Sequence, residues 1–361
     1  MKCALGGSIQ HLPKRNFRFP PNFSFDILPR LSRVLSIFLG KRETQHSGAR
    51  HRHLTGEITM ARSENYGGCS RRKNTHFFMK LLGHLLVLTL ALAMITAAAV
   101  AQDERDEVSA QIINVWNSLE TGLEFGIFRA PQPSESGDSL IRVLRIDPAH
   151  FEFRLLNASA RLDRESFTAK EWCEQHNLIA AINASMYQTD YLTSVSLMRT
   201  KGHANNSHLT KDKAMLAFHP LNAKLPQITI LDRQCDNFDE WMPKYDTFVQ
   251  SIRMISCKGK NVWRHNPEKR WSIASIGTDQ AGRVLFIHAR SAYSASELND
   301  MLLKLPLQIS RAMYVEGGSQ AQLYVKSGEY ECQLVGTHGT GGFNPYNGAQ
   351  PIPNVVGILR R

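Results

Sequence analysis

The sequence lacks the short motifs that identify the most familiar hydrolases and metal proteins. It contains no Gly-x-Ser-x-Gly nucleophile elbow and no His-Glu-x-x-His zinc motif. No two cysteines have the Cys-x-x-Cys spacing, so neither a zinc finger nor a thioredoxin-like redox site is indicated. Internal repeats and low-complexity tracts are also absent. These absences argue against a peptidase, a lipase or a repeat scaffold.

An excess of positive charge is also lacking where the fold is expected. The whole chain carries a net charge of +11, but residues 1–78 hold 14 Lys and Arg against 4 Asp and Glu. Residues 102–361 hold 28 of each and are neutral. A neutral domain gives no electrostatic case for binding nucleic acid. Residues 1–78 are interpreted as a disordered segment that results from assigning the start of translation too far upstream. The expected start is Met79, with Met60 as a second candidate. The alternative is that residues 1–78 form a basic functional tail.

A secretory signal peptide is predicted at residues 79–101. Met79 and Lys80 provide a basic start, an apolar run covers residues 85–100, and Ala-Val-Ala ends it at Ala101. We expect cleavage after Ala101, leaving a secreted or periplasmic protein with no stable membrane span. An uncleaved anchor is the alternative, although the run is short for a transmembrane helix.

Cysteines are few, and four of the six follow the predicted cleavage site. An even number of cysteines in an exported chain suggests one or two disulfides. The sequence does not choose among the possible pairings, and buried free thiols remain an alternative. The four are Cys173, Cys235, Cys257 and Cys332.

The remaining chain reads as a lead-in over 102–119 and one α+β domain over 120–361, with a mixed or antiparallel sheet core and a few packed helices. A helix over 168–175 has Ser166 or Thr168 as its N-cap. A second helix over 294–305 begins with a capping box of Ser294 and Glu297. Residues 201–213 and 235–245 are predicted to be loops. The predicted strands are 123–128, 140–146, 151–156, 178–182, 214–219, 227–231, 248–256, 270–277, 284–288, 312–315 and 351–358.

The most informative stretch runs from residue 314 to 324. An apolar strand ends here in Glu316, followed by Gly317, Gly318 and Ser319. A carboxylate beside glycines stands on backbone that a ligand can approach closely. The alternative is a glycine hairpin with a solvated Glu316.

Three further sets of polar residues are candidates for a site. Asn183, Ser185 and Tyr187 follow a buried strand, where they can line a site or merely cap the strand end. Arg253 lies in an apolar strand, so it either pairs with an internal carboxylate or binds an anionic ligand. His203 and His208 can be read as metal ligands, but a surface loop is the favoured interpretation.

Several segments, in order, resemble the phosphodiester glycosidase family. They are 180–187, 275–286, 294–305, 314–319 and 351–357. The family's Asn-Gly or Asn-Ala strand end corresponds to Asn183, and its acid-Gly-Gly, usually with Asp, corresponds to Glu316. The Arg that many members carry before the Ile-Gly-x-Asp segment is replaced by Ile273, which leaves Arg270 and Arg253 as substitutes.

The resemblance implies an exported glycosidase that hydrolyses a sugar-1-phosphodiester, a phosphate-linked glycan of the cell envelope. Glu316, Asn183 and Arg253 are then the expected catalytic residues, with Arg253 holding the phosphate and Glu316 facing the anomeric carbon. Residues expected to contact substrate are Ser185, Tyr187, Ser275, Asp279, Gly317, Gly318, Ser319 and Arg270. The alternative is a non-catalytic module that binds an envelope glycan. No cofactor is expected, although a divalent cation held by Glu316 or Asp279 stays open.

Overall fold

The structure is a computed structural model that describes residues 79, 82–98, 113–337 and 348–361, and the backbone of residues 3–4. Apart from residues 3–4, the predicted N-terminal tail over 1–78 lies outside the described residues. The predicted cleavage site after Ala101 and the first part of the lead-in over 102–119 lie outside them as well.

Strands contain more of the described residues than helices do. The strands are β1 (Cys3–Ala4), β2 (Val115–Glu120), β3 (Leu123–Arg129), β4 (Leu140–Ile146), β5 (Phe151–Asn157), β6 (Ala180–Asn183), β7 (Met198–Thr200), β8 (His203–Asn206), β9 (Ala214–Pro220), β10 (Ile228–Asp232), β11 (Tyr245–Ser251), β12 (Arg253–Ile255), β13 (Trp271–Asp279), β14 (Val284–Tyr293), β15 (Ile309–Gly317), β16 (Gln322–Ser327), β17 (Tyr330–Val335) and β18 (Asn354–Arg360). The helices are α1 (82–98), α2 (Ala169–His176), α3 (Phe238–Trp241) and α4 (Ala295–Lys304).

The strands form three sheets, and every strand pairing among the described residues is antiparallel. A seven-stranded sheet has the order β12-β15-β13-β14-β4-β3-β2. A six-stranded sheet has the order β1-β17-β16-β6-β18-β5, and a five-stranded sheet has the order β10-β9-β11-β7-β8. The predicted α+β class with an antiparallel sheet core is confirmed.

The main core lies between the sheets, because each sheet contributes one apolar face to a single cluster. Phe286 comes from the seven-stranded sheet, Ile182 from the six-stranded sheet and Leu216 from the five-stranded sheet, and all three are buried. Burying one such side chain contributes about 1.5–3 kcal/mol. The strand β6 is buried along its whole length, in agreement with its continuous apolar sequence.

The two longer helices of the sheet domain cover outer sheet faces. Trp172 of α2 packs with residues of β6 and β18, and Leu298 of α4 packs on the seven-stranded sheet. The predicted N-cap Ser294 is confirmed, and of the two candidates for α2 the N-cap is Thr168 and not Ser166; Thr168 and Ser294 each form a complete capping box.

The predicted single strand over 248–256 is wrong, because the chain changes sheet within it. Strand β11 ends at Ser251 in the five-stranded sheet, and β12 starts at Arg253 in the seven-stranded sheet. The carbonyl of Ile252 accepts a hydrogen bond from the Tyr314 N–H, which draws the second half toward β15.

Other differences come from local hydrogen bonds that composition does not reveal. The segment 235–245 contains α3, where the Asn237 side chain accepts a hydrogen bond from the Asp239 N–H. The segment 201–213 contains β8, which pairs with β7. Strand β2 pairs with β3 from Val115 onward, so the sheet starts before the predicted domain boundary at residue 120.

Disulfide bonding involves three of the four cysteines discussed above. Cys235 pairs with Cys257, Cys332 is also disulfide-bonded, and Cys173 is a buried free thiol. The predicted signal peptide overlaps α1. None of the described helices is both long enough and apolar enough to cross a membrane.

Candidate active site

The predicted carboxylate lies at the end of β15, where the sheet is irregular. Ser275 of β13 pairs with Tyr314, whereas Ala274 pairs with Glu316, so Val315 is the extra residue of a β-bulge. A bulge bends its strand and re-aims the side chains beside it. The direction of the Glu316 side chain therefore depends on this bulge, which no sequence motif predicts.

Glu316 is a partly buried carboxylate without an ion pair among the described residues. Burial raises its pKa to about 7, against the lowering influence of the Gly317 N–H, which donates a hydrogen bond to Oε1 at 2.9 Å. A carboxyl group with this pKa changes its charge near neutral pH. Such a group is suited to proton transfer.

Two tyrosines lie close enough to Glu316 to be affected by its charge. Burial, together with the negative charge of Glu316, raises the pKa of Tyr187 to about 12 and the pKa of Tyr314 further. Both phenols therefore stay protonated at neutral pH. The Tyr314 hydroxyl accepts a hydrogen bond from Trp271 Nε1 at 2.9 Å, which fixes it beside the strand end.

Gly317 is required by close packing. A Cβ atom at this position would collide with the Tyr314 hydroxyl and would lie 2.5 Å from Trp271 Nε1. Gly318 follows with a φ of +64°, in the left-handed region that favours glycine, and begins a 3₁₀ turn over Gly318–Gln320 that contains Ser319. Each glycine of the predicted motif thus has its own steric reason.

Asn183 holds this turn in place from the neighbouring sheet. Its Nδ2 donates to the Gln320 carbonyl at 2.9 Å, and its Oδ1 accepts from the Gln322 N–H at 2.7 Å. The side chain is buried. Asn183 therefore joins the end of β6 to the backbone that follows Glu316, and these bonds occupy both of its polar atoms.

A buried histidine, which the sequence did not single out, supports the same turn. His288 lies in one row across the sheet with Ala274 and Glu316. Burial lowers the pKa of His288 to about 4, so the ring is neutral. Its Nε2 lies 3.2 Å from the Ala321 carbonyl oxygen, which can only accept, so Nε2 carries the proton.

Ser185 and Tyr187 continue from β6. Ser185 is buried, and its hydroxyl donates to the Gln250 carbonyl at 3.3 Å. Tyr187 is partly exposed, forms a β-bridge with Ser194 and lies with its ring 5.9 Å from that of Tyr191. Of these two predicted contact residues, Tyr187 has the more accessible side chain.

Arg253 pairs with an internal carboxylate, which is one of the two possibilities that the sequence left open. Its Nη1 donates to the two carboxylate oxygens of Asp232 at 2.6 and 2.9 Å and to Gln234 at 2.8 Å. The pKa of Asp232 is lowered: burial alone would raise it, but hydrogen bonds from the Cys257 and Gln234 N–H groups and from Arg253 outweigh this. The guanidinium is thus already neutralised.

Arg270 is also committed to an ion pair. Its Nη2 lies 2.5 Å from Oε1 of Glu297, and its Nε donates to the Pro267 carbonyl at 3.0 Å. Glu297 is the capping-box residue of α4. The Arg270 side chain therefore connects its own loop to the start of a helix.

Ser275 and Asp279 both belong to β13, the strand that pairs with the one carrying Glu316. Ser275 is fully buried within β13. Asp279 ends that strand five residues beyond Ala274, roughly 16 Å along it. Its carboxylate accepts from the Ala281 and Arg283 N–H groups and from Arg283 Nε, and so stabilises a hairpin turn.

The described residues contain one grouping with the spacing of metal ligands, namely Asp232, Cys235 and Cys257. The two sulfur atoms are joined in a disulfide, and the carboxylate binds Arg253. Neither His203 nor His208 is part of it. The expectation that no cofactor is needed stays a prediction.

The predicted site residues therefore separate into two sets. The fold gathers Glu316, the glycines and Ser319 after it, Asn183 and Tyr187 at neighbouring strand ends. Arg253, Arg270 and Asp279 are engaged in other contacts. The roles in catalysis and binding stay predictions. Trp271 and His288 are new members of the surroundings, and no local signal could have found them, because they come from other strands.

The geometry therefore defines this protein as an antiparallel α+β domain that carries a carboxylate at a strand end followed by glycines. The phosphodiester glycosidase family model matches residues 176–359, so the chain belongs to this family. No curated protein matches the chain.

The solved structures that match this chain share little sequence with it. The catalytic domain of zebrafish N-acetylglucosamine-1-phosphodiester alpha-N-acetylglucosaminidase, auto-inhibited by its pro-peptide, is 11% identical with a TM-score of 0.49. That similarity covers 68% of this chain and 86% of the zebrafish chain. A hypothetical protein from Synechocystis is 12% identical with a TM-score of 0.46, covering 67% of this chain and 62% of the other.

Proposed function

We propose that this protein is a glycosidase that hydrolyses a sugar-1-phosphodiester, with Glu316 as the residue that accepts a proton. Membership of the family supports the reaction class. The observation that carries the assignment is the pKa of Glu316, which burial raises to about 7 at a partly exposed strand end. A general base works best when its pKa lies near the working pH.

The proposed reaction needs one carboxylate and no strong acid. Ionised Glu316 removes a proton from a water molecule as that water attacks the anomeric carbon. The bond between this carbon and the phosphate oxygen breaks, and its electron pair leaves with the phosphate monoester. Because a phosphate monoester is a good leaving group, it does not need a proton from a general acid.

The surroundings of Glu316 have supporting roles in this proposal. Asn183 and His288 are positioning residues, since they hold the backbone of the turn after Glu316 through hydrogen bonds. Tyr187 is assigned to contact with the sugar, because its side chain is partly exposed and lies close enough to Glu316 to be affected by that charge. Arg253 is assigned to the Asp232 ion pair, because binding a phosphate there would require separating two buried charges.

The test is sugar release from a panel of sugar-1-phosphodiesters by the full chain. We expect Glu316→Gln to lower kcat/KM by about 10²–10⁴-fold, the usual contribution of a general base, with an unchanged circular dichroism spectrum. Glu329→Gln, which alters an exposed carboxylate in the turn between β16 and β17, is the matched control. Full activity in Glu316→Gln would remove this residue from the mechanism. Binding across the panel without turnover by the unmodified protein would favour the non-catalytic glycan-binding module.

We further propose that the protein acts after export, on a phosphate-linked glycan of the cell envelope. The basic and apolar pattern of residues 79–101 supports export, as does the Cys235–Cys257 disulfide, because such bonds persist in oxidising compartments. N-terminal sequencing of the protein recovered from a producing cell should give Gln102 as the first residue. An intact N-terminus in the cytosolic fraction would contradict export.

A further inference from the structure

Tyr191 is an exposed aromatic residue that has no role in the function proposed above. Its exposed fraction is 68%, whereas every other Phe, Trp or Tyr that the structure describes is buried or partly buried. Its φ of +58° lies in the left-handed region, where a bulky side chain is strained. Strained residues persist where their surroundings fix them, and they concentrate at ligand sites. Tyr191 therefore needs an explanation other than packing in a core.

Tyr191 belongs to a tight reversal of the chain over 187–194, which we call the tyrosine turn. Tyr187 and Ser194 form a β-bridge across its base. The Tyr191 N–H donates a hydrogen bond to the Gln188 carbonyl at 3.0 Å, and Gln188 Nε2 donates to the Ser194 carbonyl at 3.1 Å. These bonds fix the backbone that presents the Tyr191 ring.

Side-chain amides from two other strands hold the tyrosine turn on the domain. From β8, Asn205 donates to the Leu192 carbonyl at 2.9 Å, and its Oδ1 accepts from the Ser194 N–H at 2.7 Å. From β18, Asn354 donates to the same Leu192 carbonyl at 3.2 Å. The position of Tyr191 is therefore established before any ligand arrives, which lowers the cost of binding.

The tyrosine turn lies beside the strand end that carries Glu316. Met186, the residue before the turn, packs against the same apolar cluster as Tyr314, which precedes Glu316 by two positions. Burial raises the pKa of Tyr187 to about 12, and the negative charge of Glu316 adds to this rise, so the two side chains are close. The ring of Tyr191 lies 5.9 Å from that of Tyr187. A ligand that contacts both Glu316 and Tyr187 therefore has Tyr191 as a neighbour.

The two tyrosines are suited to binding two adjacent sugar rings. A tyrosine offers a rigid apolar face and a polar hydroxyl, and a pyranose ring offers a face of C–H groups edged by hydroxyls. Two sugars joined by one glycosidic oxygen are close neighbours, as these two rings are. A phosphate between two sugars adds two further atoms to the linkage. A single exposed ring is also too small for a protein interface, which buries about 800 Å² on each partner.

We propose that Tyr191 forms an outer subsite for a second sugar, linked directly to the sugar whose bond to phosphate is cleaved. This inference rests on the proposed function, in which Tyr187 contacts the first sugar. The second sugar is attached through a hydroxyl of the first, so the anomeric carbon stays free to face Glu316. The preferred substrate is then an oligosaccharide joined to phosphate through its anomeric carbon, and the released sugar keeps its neighbour.

The experiment measures binding of matched ligands to the full chain by calorimetry, in the Glu316→Gln background so that turnover plays no part. The ligands are the methyl phosphodiesters of glucose and N-acetylglucosamine and those of their disaccharides, cellobiose and chitobiose. At least one disaccharide ester should bind at least tenfold more tightly than its single-sugar counterpart. Tyr191→Ala should remove this difference, and Tyr191→Phe, which keeps the ring, should retain it.

A matched control separates the ring from exposed apolar surface in general. Leu221→Ala removes a similarly exposed side chain from the turn between β9 and β10 and should change binding of every ester less than twofold. If no disaccharide ester binds more tightly than its single-sugar counterpart, or if Tyr191→Ala weakens both classes equally, the outer subsite is overturned.

Thermal unfolding distinguishes a binding residue from a structural one. Asn tolerates the left-handed region better than Tyr does, so Tyr191→Asn should lose the disaccharide preference without a lower unfolding temperature. A lower temperature with the preference intact would assign Tyr191 to the scaffold. A disaccharide preference that depends on Tyr191 supports the subsite even if the unmodified protein releases no sugar, a result that would overturn the glycosidase proposal alone.

Discussion

Glu316 and Asp232 are both acids at the ends of strands, yet their surroundings shift their pKa values in opposite directions. Asp232 is buried and surrounded by donors: Arg253 and the N–H groups of Gln234 and Cys257. Its pKa lies below the usual range. Glu316 has one backbone donor and no ion pair among the described residues, and its pKa rises to about 7.

The difference teaches how to separate a structural charge from a functional one. A buried ion pair with satisfied hydrogen bonds keeps one protonation state and fixes local geometry. A buried carboxylate without a charged partner makes the folded protein less stable when the carboxylate is ionised. Proteins keep such a group mainly where its charge serves a function. On this comparison Asp232 belongs to the scaffold and Glu316 to the site.

The largest expected effect on stability comes from breaking the Asp232 pair. Asp232→Ala leaves the Arg253 guanidinium buried without its partner, which should lower the free energy of unfolding by about 3–5 kcal/mol. Urea denaturation at pH 7 measures it. The control Glu329→Ala removes an exposed carboxylate and should change stability by less than about 0.5 kcal/mol. Equal effects of the two variants would show that the Asp232 pair is not structural.

Glu316→Gln should raise the free energy of unfolding near neutral pH, whereas Asp232→Ala lowers it. The folded-state pKa of about 7 lies above the ordinary value of 4.5, so the folded protein binds more protons between these pH values. Its stability therefore falls as pH rises from 4.5 through 7. At pH 8 the Gln variant should be more stable than the unmodified protein by about 2 kcal/mol, after allowing for partial exposure, and at pH 4 the two should match.

Urea denaturation would also reveal the result that contradicts this expectation for Glu316. If Glu316→Gln destabilises the protein at pH 8 as Asp232→Ala does at pH 7, then Glu316 is a second structural acid. The distinction between the two strand ends would then be lost.

A smaller effect is expected from the packing that surrounds the Glu316 strand end. Gly317→Ala introduces a methyl group against Tyr314 and Trp271, and should cost about 1–3 kcal/mol of stability because these rings must shift. Gly348→Ala is the control, since a methyl group there meets no described residue within 4 Å. Thermal unfolding compares the two. No difference between them would indicate that the strand end is looser than described.

The sequence predicted those parts of the fold that depend on local chemistry. The capping box of Ser294 and Glu297 follows from residue types three positions apart, and Thr168 is one of the two N-caps that the sequence offered for α2. The buried strand β6 follows from its unbroken apolar run. The acid-Gly-Gly segment directed attention to Glu316, because a charge beside glycines on an apolar strand is unusual.

The remaining features depend on which strands become neighbours. Nothing in the sequence locates the bulge at Val315, because a bulge is defined by pairing with β13. The partner of Arg253 lies 21 residues away in another sheet. Trp271, which donates a hydrogen bond to Tyr314 and packs on Gly317, reaches the Glu316 strand end from the neighbouring strand β13.

The most direct test of the central claim is the pH dependence of kcat/KM for release of sugar from a sugar-1-phosphodiester. If Glu316 acts as the base with a pKa of about 7, activity should rise tenfold per pH unit below this value and level off above it. Glu316→Asp, which keeps a carboxylate, should retain a rising limb with an altered midpoint. A profile that is flat from pH 5 to 8 would contradict the account.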